Sequence, residues 1–119
     1  MPNATDTLES LREALAAFAA ERNWDQFHNP KNLAMALSGE VGELVEHFQW
    51  LTFEEAQALP AATRDEVALE AADVLLYLVR LCDKCGIDLA ESARRKLAIN
   101  AERYPVEKAQ GSAAKYDKL

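Results

Sequence analysis

Leu33, Leu37, Val41, Leu44, Phe48 and Leu51 recur at intervals of three and four. At about 100° per residue they fall within a narrow arc, the mark of an amphipathic helix. The opposite face of that helix carries Glu40, Glu43 and His47. A second long segment is more demanding. Glu66, Glu70, Asp73 and Tyr77 share one stripe with Val67, Val74, Leu78 and Leu81 beside it, while Leu69, Ala72, Leu76 and Val79 make a second apolar surface. A helix apolar on two sides needs more cover than a lone small bundle supplies, so association between subunits is expected. β-branched residues are too few and scattered for a sheet, and Ala, Leu and Glu are abundant. With 119 residues and 50% hydrophobic content the chain fits one domain. The expected class is all-α, an oligomeric bundle of four to five helices.

Local signals set the boundaries. Asp6 and Glu9 read as a capping box before Leu8, Leu11, Leu15 and Phe18, with the first helix running to about Glu21. Asn23 to Pro30 is an aromatic loop with Trp24, Phe27 and His28, and Asn29-Pro30 reads as an N-cap followed by proline at the first helical position. Thr52 with Glu55 and Thr63 with Glu66 read as further capping boxes on either side of Pro60, a short helix before a long one ending near Gly86. Asp88 and Glu91 open a last helix that stops before Pro105 and carries Lys96, Asn100 and Arg103 on one face, the best anion-binding candidate. The expected division is a helical domain over 1–105 and a tail over 106–119, extended or partly disordered.

Twenty acidic against 13 basic side chains give a formal charge of −7. That charge repels a polyanion and argues against a nucleic-acid polymer as partner. No apolar run approaches the length of a membrane span and no leader pattern opens the chain, so neither membrane nor export is expected and a cytoplasmic location is. Cys82 and Cys85 form a lone C-x-x-C without a second pair to complete a zinc site, and read as two reduced cysteines partly in the core.

Glu40 and Glu43 stand one turn apart, as do Glu70 and Asp73, each pair on the polar edge of an apolar helix. A single E-x-x-E is ordinary on a solvated face. Two pairs on two helices packed side by side bring four carboxylates together, which cannot all stay ionised without cations. All-oxygen ligands favour magnesium or manganese over zinc. A di-iron carboxylate bundle wants Glu-x-x-His, and His47 has Leu44 three residues before it.

Glu40-Val-Gly-Glu43 followed by Glu70-Ala-Ala-Asp73 on the next long helix resembles the metal-binding pattern of MazG-like pyrophosphohydrolases. The similarity is greatest to the dCTP pyrophosphatases, through Glu21 to His28, Phe48-Gln-Trp50, Asp73 to Tyr77, and Asn100 to Pro105. It covers nearly the whole chain. The resemblance implies that Glu40, Glu43, Glu70 and Asp73 hold Mg2+, with Mn2+ as an alternative. It implies that Trp24, His28, Trp50 and Tyr77 line a nucleotide pocket, with Lys96 and Asn100 near the phosphates. Leu15 departs from it, standing where some animal members place a pocket histidine. The implied activity is hydrolysis of dCTP or a modified dCTP to monophosphate and pyrophosphate, with Glu43, or else Glu40, activating water. The implied assembly is a homo-oligomer, tetramer or dimer, with the pocket between subunits. Alternatives are a dUTP-preferring or broad-specificity enzyme, and a non-catalytic helical interaction protein.

Overall fold

Every regular element among residues 7–119, the part of the chain described by the computed structural model, is helical. In chain order these are α1 (Leu8–Glu21), α2 (Pro30–Glu46), α3 (Phe53–Gln57), α4 (Ala61–Lys84), α5 (Leu89–Arg103) and α6 (Val106–Ala109). Short 3-10 turns occupy Asp25–Phe27 and Tyr116–Lys118. The all-α expectation holds. None of these helices is long and apolar enough to cross a membrane.

Caps explain most boundaries. Asp6 lies outside the described residues, and α1 is instead capped by Thr7, in a reciprocal box with Ser10. Asn29 accepts from the Asn32 N–H with Pro30 behind it, Thr52 and Glu55 close the expected box on α3, and Asp88 caps α5 through the Glu91 N–H. The Thr63 box does not form. Extended backbone at Pro60 (ψ 150°) already turns into a helix at Ala61, and the Pro60 carbonyl accepts from the Arg64 N–H, so Thr63 sits inside α4. Helix α2 also ends earlier than its apolar pattern, at Glu46; Phe48 and Leu51 continue it through turns.

Two helix ends place the residues that follow them. Gly86 (φ 67°) and Asn23 (φ 55°) both take the left-handed conformation after their helices. In each case the next residue's N–H reaches back five positions, Ile87 to the Cys82 carbonyl and Trp24 to that of Ala19. These are paired Schellman closures, and asparagine is among the few residues besides glycine that enter this region readily. Trp24 is thereby folded back onto α1, its ring edge-on to Phe18 at 5.7 Å.

The chain divides into two compact units, Met1–Ile87 and Asp88–Leu119. In the first, α1 and α2 both pack on α4. Its core is small: Ala19 from α1, Leu33 from α2, and Val79 and Cys82 from α4. Leu33, 2% exposed, is the largest fully buried side chain. We expect Leu33→Ala to destabilise this unit by about 2–5 kcal/mol, a large share of the roughly 5–15 kcal/mol typical of a domain, read as a lowered urea midpoint. A midpoint within experimental error of the native one would show that Leu33 is not the centre of the packing. Both cysteines are free, Cys82 buried and Cys85 exposed.

In the second unit α5 is followed by α6 and the closing 3-10 turn, where extended chain was expected after Pro105. The cause is aromatic: Tyr104 meets Tyr116 edge-on at 6.1 Å and the Arg103 guanidinium lies 4.7 Å above the Tyr116 ring. These contacts fold residues 106–119 back toward the end of α5.

Candidate active site

The packing of α2 on α4 sets the two acidic motifs against each other. One carboxylate oxygen from each of Glu40, Glu43 and Glu70 lies within 4.8 Å of the others. Glu40 and Glu70 are half-buried, and one Oε2 atom of each is shut away from solvent with no hydrogen-bond partner among the described residues. Such an atom costs free energy unless something positive meets it. The site responds by holding protons more tightly. Sharing a hydrogen bond with Glu43, then loss of water, pushes the Glu40 carboxyl above its ordinary value; burial first and Glu43 second do the same for Glu70. An all-oxygen set with two orphaned oxygens fits a hard divalent cation. Asp73 is not within this group of three, but its charge contributes to raising both Glu40 and Glu70. His47 stands 3.8 Å from Glu66 and 4.0 Å from Glu70, beyond hydrogen-bond reach.

Asp73 also lines a cleft of about 230 Å³. Aromatic walls come from Phe18, Trp24 and Tyr77, and aliphatic ones from Leu15, Leu33 and Leu76. The polar members are Asp73, His28 and Arg80. An apolar slot with a few fixed polar groups, smaller than the roughly 300–1,000 Å³ of sites for drug-sized ligands, suits one planar ring system.

Arg80 is 6% exposed, yet each of its three nitrogens has a partner. Nε donates to His28 Nδ1 at 3.0 Å, one terminal nitrogen to Asp25 at 2.9 Å, and the other to Asp83 at 3.4 Å. Lys84 also pairs with Asp25, and Arg12 of α1 reaches Asp83 at 3.3 Å. The cleft floor is thus tied to α1, α4 and the Asp25–Phe27 turn.

Of the residues singled out in the sequence, Glu40, Glu43 and Glu70 meet, and Trp24, His28, Tyr77 and Asp73 line the cleft. Trp50 does not: it is 86% exposed and outside the cleft lining. On α5 Lys96 is exposed and Asn100 half-buried. A Cβ added at Gly39 or Gly42 would meet nothing within 4 Å, so open space flanks the carboxylates. Arg80 carries no motif of its own, although it continues the Glu70, Asp73, Tyr77 stripe by three residues.

Residues 35–119 match the model of the MazG-like family. The chain is 50% identical to dCTP pyrophosphatase 1 of Mus musculus over 115 residues, 95% of this chain and 68% of the mouse protein. It is 32% identical to a dATP/dGTP diphosphohydrolase of Cyanophage S-2L over 97 residues, 82% of this chain and 76% of the phage protein. The fold is similar to the crystal structure of a pyrophosphatase from Archaeoglobus fulgidus, with a TM-score of 0.79 and 39% identity over 88% of this chain and 98% of that one.

Proposed function

This chain belongs to the MazG-like family, and on that footing we propose that it hydrolyses a deoxynucleoside triphosphate, dCTP or a modified dCTP, to the monophosphate and pyrophosphate. It would act as a cleanser of the nucleotide pool. The observation that carries this reading is the nearness of two features: a carboxylate cluster with orphaned oxygens, and an aromatic-walled cleft lined by Asp73, whose charge acts on Glu40 and Glu70. The first suits a metal-bound triphosphate and the second suits its base.

Glu40, Glu43, Glu70 and Asp73 would hold Mg2+, or Mn2+ in its place. When bound, the cation offsets phosphate charge in the substrate and in the transition state. Glu43 is the exposed member of the three clustered glutamates, so water reaches it most readily. It orients and deprotonates the attacking water, with Glu40 as the alternative base. Trp24 stacks on the base, a contact worth about 1–3 kcal/mol in nucleic-acid systems. His28 hydrogen-bonds the base edge, and the Tyr77 hydroxyl meets sugar or phosphate. Lys96 and Asn100 serve the phosphates.

The chain works as a homo-oligomer, tetramer or dimer, in the cytoplasm, with no nucleic-acid polymer or membrane as partner. Support for association lies in the large apolar side chains left open to solvent, Trp50 at 86%, Phe53 at 91% and Leu69 at 70%. A pocket completed between subunits gives Trp50 a second base-stacking role.

The test is competition among dCTP, dUTP, dATP and dGTP with magnesium, read as release of each monophosphate. Preferential loss of dCTP is expected. A broader preference is the second reading, favoured by Leu15 in the cleft wall, which has no hydrogen bond to offer a base; equal consumption of all four would establish it. No consumption with any divalent metal would leave a helical interaction protein.

A further inference from the structure

We propose that Arg80 is a positioning residue that holds the His28 proton on Nε2, so that His28 meets a bound base as a hydrogen-bond donor and not as an acceptor. This rests on the reading of the cleft as a nucleotide-base site.

An arginine guanidinium has only donors, so the nitrogen it contacts must accept. Arg80 Nε meets His28 Nδ1 at 3.0 Å, which places the imidazole lone pair on Nδ1 and the proton on Nε2. An imidazolium, with protons on both nitrogens, would set N–H against N–H. The guanidinium cannot turn away to relieve that clash, because Asp25 and Asp83 hold its other two nitrogens and it is 6% exposed. Burial, then the positive charges of Arg80 and Lys84, keep the imidazole below its ordinary pKa of 6.5, against a smaller opposing pull from Asp25. The free nitrogen of His28 is therefore Nε2–H, on a side chain that lines the cleft. Trp24, edge-on to His28 at 6.3 Å, sets the plane of the adjoining wall. A ring nitrogen or carbonyl oxygen on the base edge, as cytosine offers, is the matching group. A base edge presenting only N–H there would be refused.

The test has two readouts. In uniformly 15N-labelled native protein near neutral pH, with His47→Gln used to assign the signals, His28 should show a protonated Nε2 and an unprotonated Nδ1. Arg80→Met should give mixed tautomers and raise KM for dCTP about tenfold, the weight of one hydrogen bond, with kcat changed by less than about twofold. Arg80→Lys, which keeps a charged donor, should restore both. A native His28 protonated on Nδ1, or on both nitrogens, overturns the proposal, and so does an Arg80→Met protein with native tautomer and native KM. If Arg80→Met fails to fold, the native spectrum and Arg80→Lys decide the matter alone. A native chain that hydrolyses no triphosphate sinks the function proposed above, while the Nε2 proton, read on the free protein, stands or falls by its own signal.

Discussion

Glu43→Gln is expected to lower kcat by about 10²–10⁴-fold, the usual range for loss of a general base, while leaving the fold intact. The amide side chain keeps the shape and a hydrogen-bonding oxygen but loses the charge and the basicity. Glu43 lies beside both Glu40 and Glu70 and adds to the repulsion among them. Neutralising it relieves that repulsion, so the metal-free variant should melt at or above the native temperature. This opposite movement of stability and activity separates a chemical role from a structural one. Turnover within a few-fold of native would move the base to Glu40, whose substitution by glutamine should then show the full loss.

Removing divalent metal is expected to abolish turnover, and restoring it to stabilise the fold in a pH-dependent way. Glu40 and Glu70 are held above the ordinary carboxyl value of 4.5, by the hydrogen bond to Glu43 and by burial respectively. A raised acid binds its proton more tightly folded than unfolded. Its contribution to stability is therefore fully present below about 4.5 and is lost as pH rises through the raised values. Metal-free protein should accordingly weaken between mildly acid and neutral pH. A cation at about one hundred times its Kd adds roughly 2.7 kcal/mol, and it does so only where the carboxylates are ionised. The rise in melting temperature on adding magnesium should be large at about pH 7.5 and small at about pH 4.5. Glu70→Gln should lose most of it. A magnesium effect equal at both pH values would mean that the ion binds elsewhere.

How much of this was legible in the sequence depended on whether the information was local. The helical period around Leu33 and Leu44, the caps at Asn29, Thr52 and Asp88, and the two acidic pairs are patterns of three and four residues, and they recur in the fold. Thr63 shows the limit of such signals. A capping pair and a preceding proline compete to start the same helix, and the extended Pro60 wins by three residues. Pairings across long separations were not legible. Arg80 shares the stripe of Asp73 and Tyr77, but its partner His28 lies 52 positions earlier, and only the closure at Asn23 and the turn after it bring the two together. The exposure of Trp50 was not legible either. Its side chain is large and apolar, yet α2 ends at Glu46 and the turn that follows leaves it in solvent.

We expect cleavage between the α- and β-phosphates at a carboxylate-held metal. We would follow dCTP by 31P NMR with native protein and magnesium, beside an Asp73→Asn control. The expected products are dCMP and pyrophosphate alone, with the control inactive or nearly so. Formation of dCDP with inorganic phosphate, or equal turnover by the control, would contradict cleavage at that site.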